Sequence, residues 1–108
     1  DYYRAADIFT LASLREGFGR AIIEALGLGL PILVHDYDIP RELMADYGYY
    51  ADFTTEDGLS SLLANVLNLP YDPEAAARRS RYAYQRYGWP NIMPDYVNLI
   101  RRVIALPE

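Results

Sequence analysis

Short apolar runs alternate with stretches of helical character along the first half of the chain. Three of these runs have the length and composition of buried strands. They are residues 7–13, 30–36 and 48–53. Residues 20–28 have helical length, and residues 40–46 begin with Pro40, which is favoured in the first turn of a helix. This order, with its short connections, predicts parallel strands joined by right-handed crossovers.

Helical patterns occupy the second half. Three helices are predicted there, and their candidate capping or first residues are Thr54 or Thr55, Asp72 and Pro94. Pro73 follows Asp72 at the position where proline is favoured, and Gly88 is the expected end of that helix. The last helix carries an apolar stripe made of Tyr96, Leu99, Ile100 and Val103.

These elements indicate the α/β class, with a partial Rossmann-like parallel sheet of about three strands and surrounding helices. Three strands are few for a doubly wound sheet, and one edge would be open. We expect 1–108 to be a single partial domain, with the ligand site in 1–53 and the C-terminal helices in 54–108. Because the chain begins without Met and directly in a structured pattern, we expect a segment of a longer protein.

The net charge and the cysteine content exclude some classes of function for this chain. The chain has 15 acidic and 10 basic residues and a net charge of −5, so no basic surface for nucleic acid is expected. The clustered Arg78, Arg79 and Arg81 are interpreted as a solvated helix face. The absence of cysteine fits a reducing location, and we expect a cytoplasmic protein. No apolar run approaches the roughly 20 residues that span a bilayer.

A glycine-rich turn, Gly17 to Gly19, lies between the first strand and the following helix. A turn in this position directs backbone N–H groups to the carboxyl end of the sheet, where the helix dipole also favours an anion such as phosphate. Arg20 in the first helical turn opposes that dipole, which is easier to explain when an anion also binds there. Gly27 and Gly29 are both candidates for the cap that ends this helix.

Glu24 lies in an otherwise almost wholly apolar segment, so we expect its helix to be buried on most faces. A carboxylate in such a place is costly unless it is hydrogen-bonded. Two explanations stay open: an ion pair with Arg20 one turn earlier, and a ligand with adjacent hydroxyl groups such as a ribose. Glu16 precedes the helix, so the two acids need not share a helical face.

The second strand ends near His35, with Asp36 and Asp38 in the turn that follows. A structural hydrogen bond is the favoured interpretation of His35, and a ligand contact is the alternative. Two acids in a turn usually serve capping and turn chemistry, and a single histidine does not make a metal site. We therefore expect no metal.

The stretch YRAADIFTLASLREGFGRAIIEALGLGLPIL, residues 3–33, resembles the donor-site segment of retaining glycosyltransferases of the GT-B fold, family 4 or glycosyl transferases group 1. The matching positions are Tyr3, Ala6, Asp7, Ser13, Glu16, Gly17, Phe18, Gly19, Glu24, Ala25, Gly29 and Pro31. Glu16 and Glu24 form the family's E-x7-E motif. Because RELMADYGYYAD and RYGWPNIMPDYVNLIRRV are also similar to the family, the resemblance covers nearly the whole chain.

The resemblance implies the C-terminal half of a GT-B donor domain that binds a nucleotide-diphosphate sugar. The implied donor-binding residues are Glu16, Gly17, Phe18, Gly19, Arg20 and Glu24. Glu16 would be the catalytic residue and would hold sugar hydroxyls near the anomeric carbon, whereas Glu24 would bind the ribose hydroxyls. The glycine turn would contact the sugar and the diphosphate. The nucleotide sugar is the substrate, and no cofactor or metal is implied.

The sequence also departs from the family pattern. Ala12 replaces a more usual proline, and HDYDIP, residues 35–40, replaces a Gly-Gly turn. The second departure leaves the identity of the donor undetermined. The basic pair that such enzymes place on the diphosphate normally lies earlier in the domain, as does the acceptor-binding domain. The missing N-terminal part of the parent is therefore an expected partner, and we expect the chain alone to be inactive. Membrane association is expected, if at all, only as a peripheral property of the parent.

Two alternatives belong to other classes. In the first, the chain would be a non-catalytic module that binds a nucleotide or self-associates into a homodimer through its open sheet edge. Alternatively, it comes from a GT-B epimerase that acts on sugar nucleotides, although the E-x7-E context fits that activity less well.

Overall fold

Three parallel strands form the sheet of the computed structural model, which describes residues 2–107. They are β1 (Phe9–Leu11), β2 (Ile32–His35) and β3 (Tyr49–Ala51). Their order is β1-β2-β3, and the register pairs Thr10 with Leu33 and Val34 with Tyr50. The predicted fold class is confirmed. Each strand is shorter than its apolar run, because the ends of the run belong to the connecting turns.

Five α-helices surround this sheet within residues 2–107. They are α1 (Arg20–Gly27), α2 (Asp38–Met44), α3 (Gly58–Leu67), α4 (Pro73–Tyr87) and α5 (Trp89–Ile104). Single 3₁₀ turns cover Tyr2–Ala5 and Ala45–Tyr47. None of the helices within residues 2–107 has both the length and the apolar character that crossing a bilayer requires.

The starts of three helices test the predicted caps. The Asp72 carboxylate accepts hydrogen bonds from the N–H groups of Glu74 and Ala75 at 2.9 and 3.2 Å, which confirms it as the cap of α4. The prediction for α3 is wrong: its N-cap is Asp57, and Thr54 and Thr55 bond to Asp52 instead.

The predicted start of α5 at Pro94 is also wrong, because the helix begins at Trp89 and Pro90 is its second residue. Pro94 lies inside the helix, in its second turn, where it lacks the N–H bond to the preceding turn and its ring crowds the carbonyl of Pro90. The predicted apolar stripe exists, but its members are more than half exposed: Tyr96, Leu99, Ile100 and Val103.

Of the two candidate glycines, Gly29 and not Gly27 forms the C-terminal cap of α1. The Gly29 N–H bonds to the carbonyl of Leu26 at 2.9 Å, and the Leu30 N–H bonds to that of Ala25 at 3.2 Å. Gly29 has a φ of +78°. This pair of bonds around a left-handed residue is the Schellman arrangement, which needs a residue without a Cβ at this point.

The hydrophobic core lies on the face of the sheet that α1, α2 and α4 cover. Ile32 and Val34 of β2 are buried in this cluster together with Ile22 and Leu26 of α1. Leu33 is fully buried on the opposite face, where α3 contacts β2 and β3. β2 is therefore covered on both faces, as its continuous apolar run predicted.

Arg79 corrects the prediction of a solvated arginine face on α4. Arg78 and Arg81 are exposed, but Arg79 is only 8% exposed and its Nε donates to the carbonyl of Gly29 at 2.9 Å. Ser80 donates to the carbonyl of Gly27 at 2.8 Å. These two side chains join α4 to the end of α1, and burial lowers the pKa of Arg79.

Candidate nucleotide-sugar site

A cavity of about 490 Å³ opens at the carboxyl ends of β1 and β2. One wall comes from the β1–α1 turn and the other from the β2–α2 turn. Its lining residues are Leu14, Arg15, Glu16, His35, Tyr37, Asp38 and Ile39. Ligands of open α/β sheets bind at this edge, because the connecting turns diverge there.

The two glycines of the turn differ in what surrounds them. Gly19 is the N-cap of α1 with a φ of +51°, and an added Cβ would lie 3.0 Å from side-chain atoms of Ile22 and Leu43. Gly19 is therefore required by the backbone and the core. An added Cβ at Gly17 would have no neighbour within 4 Å, so the fold leaves the space beside Gly17 open.

The N-terminus of α1 is available for an anion. In the described part of the chain, no side chain caps this helix and no acidic residue lies in its first turn. The first N–H groups of a helix have no partner inside the helix, and the dipole adds partial positive charge there. These groups follow Gly19 directly and face the same edge of the sheet as the cavity.

Glu16 is a half-buried carboxylate that lines the cavity. Within residues 2–107 it has no hydrogen bond and no ion pair, although several other carboxylates in the chain have one. As predicted, it lies in the turn and outside α1. Phe18, two residues later, is 61% exposed. A carboxylate held in this way is free to accept hydrogen bonds from a ligand.

α1 is buried on most of its faces, as expected, but Glu24 lies on its exposed side. α1 buries Ile22, Ala25 and Leu26 on one side, and the Glu24 side chain on the other side is 47% exposed. Arg20 pairs with Glu24 at 3.3 Å, and the Tyr3 hydroxyl donates to Glu24 at 3.2 Å. Burial and this bond to the carboxylate raise the pKa of Tyr3. Glu24 therefore has protein partners, but it is accessible to a ligand as well.

His35 makes the structural hydrogen bond that was predicted for it. Its Nδ1 accepts from the N–H of Phe53 at 3.1 Å, and its ring lies 5.7 Å from that of Tyr37 and 6.1 Å from that of Phe53. Tyr37 is a lining residue that the sequence reasoning missed. The chain has eleven tyrosines, and nothing in the sequence separates this one from the rest.

Asp36 serves the turn, because Arg41 binds both of its carboxylate oxygens, one of them at 2.8 Å. This hydrogen-bonded guanidinium lowers the pKa of Asp36. Among residues 2–107 there is no group of three or more His, Cys, Asp or Glu side chains placed to hold a metal ion.

We expect Arg41→Met to return the pKa of Asp36 to about 3.9, the ordinary value. The lowered pKa stabilises the fold at any pH above that value, and the contribution is lost as the pH falls through the folded-state pKa. The stability difference between wild type and variant should therefore be constant from about pH 5 to 7 and shrink below about pH 4. Carboxyl NMR titration and urea unfolding at several pH values measure both effects.

The matched control is Arg81→Met on α4, an exposed arginine without a described acidic partner. It should leave the pKa of Asp36 and the pH dependence of unfolding unchanged. An unaltered pKa of Asp36 in Arg41→Met would contradict the ion pair.

A larger cavity of about 640 Å³ lies at the opposite edge of the sheet. It borders Ile8, Pro31 and Tyr49, which lie at the amino ends of the three strands, and it includes Arg79. None of the predicted donor-binding residues lines it. The smaller cavity is the candidate site because Glu16 lines it, whereas the other predicted donor-binding residues, Gly17, Phe18, Gly19, Arg20 and Glu24, line neither cavity.

Comparison with known proteins assigns the family. The sequence model of glycosyl transferases group 1 matches residues 1–86, which contain the whole candidate site. The chain belongs to this family. This glycosyl transferases group 1 chain is 29% identical to O-antigen chain mannosyltransferase B of Escherichia coli over 96 residues. It is 27% identical to D-inositol 3-phosphate glycosyltransferase of Corynebacterium urealyticum over 111 residues.

These matches cover 89% and 98% of this group 1 chain but only 25% and 26% of the two relatives. The chain thus spans about a quarter of their length. Among solved structures, sucrose-phosphate synthase from Thermosynechococcus elongatus superposes with a TM-score of 0.77 at 23% identity. That match covers 96% of this chain and 27% of the synthase, and it shows a shared fold.

Proposed function

We propose that this chain is the C-terminal half of the donor-binding domain of a retaining glycosyltransferase. The observation that carries the proposal is Glu16, a half-buried carboxylate without a described partner, beside the uncapped N-terminus of α1. An acceptor for sugar hydroxyls and a set of donors for phosphate oxygens thus meet at the carboxyl edge of the sheet. Membership in the glycosyl transferases group 1 family supports the same activity.

Each predicted residue has a role in this proposal. Glu16 accepts hydrogen bonds from the sugar near its anomeric carbon, and the backbone of Gly17, Phe18 and Gly19 contacts the sugar and the diphosphate. Arg20 is 87% exposed and adds positive charge beside the phosphates. Glu24 keeps one face accessible, where it accepts hydrogen bonds from the ribose hydroxyls.

In the transfer step the bond between the anomeric carbon and the diphosphate oxygen breaks, and the electron pair leaves with the diphosphate. A bond forms from the acceptor hydroxyl oxygen to the same carbon, and the hydroxyl proton is released with the nucleoside diphosphate. Backbone N–H groups aimed at the leaving group stabilise its developing charge. The acceptor and the remaining phosphate contacts belong to the rest of the longer protein. Metal-free transfer, a cytoplasmic location and a sheet-edge homodimer stay predictions.

Titration with UDP, GDP and ADP, followed by backbone-amide NMR, tests the proposed site. We expect shifts of Gly17, Phe18, Gly19 and Arg20 with at least one nucleotide, because the diphosphate binds their N–H groups. Gly17→Ala places a methyl group in the open space of the site and should weaken binding about tenfold or more without lowering the thermal midpoint.

The control for that substitution is Gly27→Ala, which also adds a Cβ without neighbours within 4 Å but lies at the far end of α1. It should leave nucleotide binding unchanged. A chain in which none of the three nucleotides shifts these amides would contradict the proposed function.

A further inference from the structure

The β2–α2 turn gives the candidate site a second wall that contains an unused hydroxyl. Tyr37 lines the cavity, and its hydroxyl oxygen is buried without a hydrogen-bond partner among the described residues. A buried hydroxyl without a partner is unfavourable, so such groups are rare unless a ligand or water completes them. Within residues 2–107 only Tyr82 shares this state, and Tyr82 packs against Tyr47, away from the site.

His35 adds a second donor to this wall. Because its Nδ1 accepts the N–H of Phe53, the proton of the neutral ring is on Nε2. The rings of Tyr37 and Phe53 lie beside the imidazole, and the side chain is 15% exposed. No described residue accepts a hydrogen bond from Nε2, and His35 is one of the residues that line the cavity.

The nearby carboxylates do not compete for the His35 Nε2–H or the Tyr37 hydroxyl. Asp36 is occupied by Arg41, and the carboxylate of Asp52 lies 3.9 Å from Nδ1, the nitrogen that already has a partner. Across the cavity, Glu16 presents only acceptor oxygens. The two walls therefore combine an acceptor on one side with an N–H donor and a hydroxyl, which donates or accepts, on the other.

This combination suits a ring that carries several hydroxyl groups, since each hydroxyl both donates and accepts. The volume of about 490 Å³ lies within the range of roughly 300–1,000 Å³ that is typical of small-molecule sites. It is also located beside the glycine turn, so that a group attached to the diphosphate would extend into it.

We propose that His35 and Tyr37 bind the glycosyl group of the donor and select which hexose the site accepts. His35 Nε2–H donates to one sugar hydroxyl and the Tyr37 hydroxyl pairs with another, opposite Glu16. This inference rests on the proposed function, because it assigns the part of the donor that lies beyond the diphosphate.

The experiment compares UDP with UDP-glucose and GDP with GDP-mannose on the 108-residue chain, by NMR and calorimetry. We expect one of the two sugar nucleotides to shift the His35 and Tyr37 ring signals beyond the effect of its nucleoside diphosphate. Tyr37→Phe removes only the hydroxyl and should weaken the binding of that sugar nucleotide about tenfold. The affinity for the nucleoside diphosphate should stay within twofold of the wild-type value.

His35→Asn keeps an acceptor for the Phe53 N–H but removes the Nε2 donor, and we expect the same selective loss. His35→Gln carries a donor near the Nε2 position and should recover part of the affinity. The matched control is Tyr82→Phe, which removes the other buried hydroxyl without a partner and should alter neither affinity.

Two outcomes overturn the inference, and they are distinguishable. If the nucleoside diphosphates shift Gly17 to Gly19 but Tyr37→Phe and His35→Asn bind the sugar nucleotides as tightly as wild type, the inference fails and the proposed function stands. If none of these four probes shifts those glycines and ADP does not shift them either, both fail.

Discussion

We expect Glu16→Gln, made in the longer glycosyltransferase that we propose contains this chain, to lower kcat by about 100- to 1,000-fold, the loss typical of removing one preorganised electrostatic contact to a transition state. In the proposed function, Glu16 faces the sugar at the atom where positive charge develops as the bond to the diphosphate breaks. Glutamine keeps the size of the side chain and one acceptor but removes the charge. Because Glu16 has no described protein partner, the thermal midpoint should stay unchanged. Steady-state kinetics and thermal unfolding separate the two effects.

Glu24→Gln acts on a remote part of the same donor, and its main effect should be on binding. Hydrogen bonds that ribose hydroxyls donate to a charged carboxylate contribute about 1.5–3 kcal/mol, so kcat/KM should fall about tenfold or more, chiefly through KM. Glu74→Gln is the control, because Glu74 is an exposed glutamate on α4 whose side chain pairs with Arg78 at 3.8 Å. Near-normal transfer in both Glu16→Gln and Glu24→Gln would exclude this assignment of the E-x7-E pair.

Gly29→Ala should destabilise the fold by about 3 kcal/mol, because backbone strain and a clash with α4 act together at this position. Alanine at a φ of +78° costs about 1–2 kcal/mol. The added Cβ would also lie 2.7 Å from the carbonyl oxygen of Ala76 and force α4 away from α1. Arg79 would then lose its good geometry to the Gly29 carbonyl. Urea and thermal unfolding measure the loss.

Gly27→Ala is the internal control for that result. Gly27 is the last residue of α1, and an added Cβ has no neighbour within 4 Å. Alanine should therefore stabilise the chain by up to about 0.5–1 kcal/mol, since glycine is the poorer helix former. Equal destabilisation by the two substitutions would contradict the cap formed at Gly29.

The sequence was sufficient to predict the elements whose position depends on residues close together in the chain. Asp72 followed by Pro73 predicts the start of α4, because both preferences act within one helical turn. The continuous apolar run of β2 predicts a strand covered on both faces, since its neighbours must be apolar too. The glycine turn likewise predicts a site at the carboxyl end of β1, where Glu16 lines a cavity.

Helix starts and exposures were less predictable. At Pro94 the local preference for a helix start is real, but Pro90 offers an earlier one and the chain uses it. Thr54 and Thr55 have the chemistry of caps, yet Asp52 engages them in a turn instead. Competing partners of similar strength lie within a few residues, and the sequence does not rank them.

The sequence by itself determined the order of elements and the class of the fold, because periodicity and turn chemistry are local properties. Only the tertiary structure decided that Arg79 is buried, that Glu24 is exposed and that the Tyr37 hydroxyl lacks a partner. Each of these depends on which face of an element meets a segment far away in the chain, as when Arg79 meets Gly29. Such contacts follow from packing in three dimensions, and no pattern within one helix encodes them.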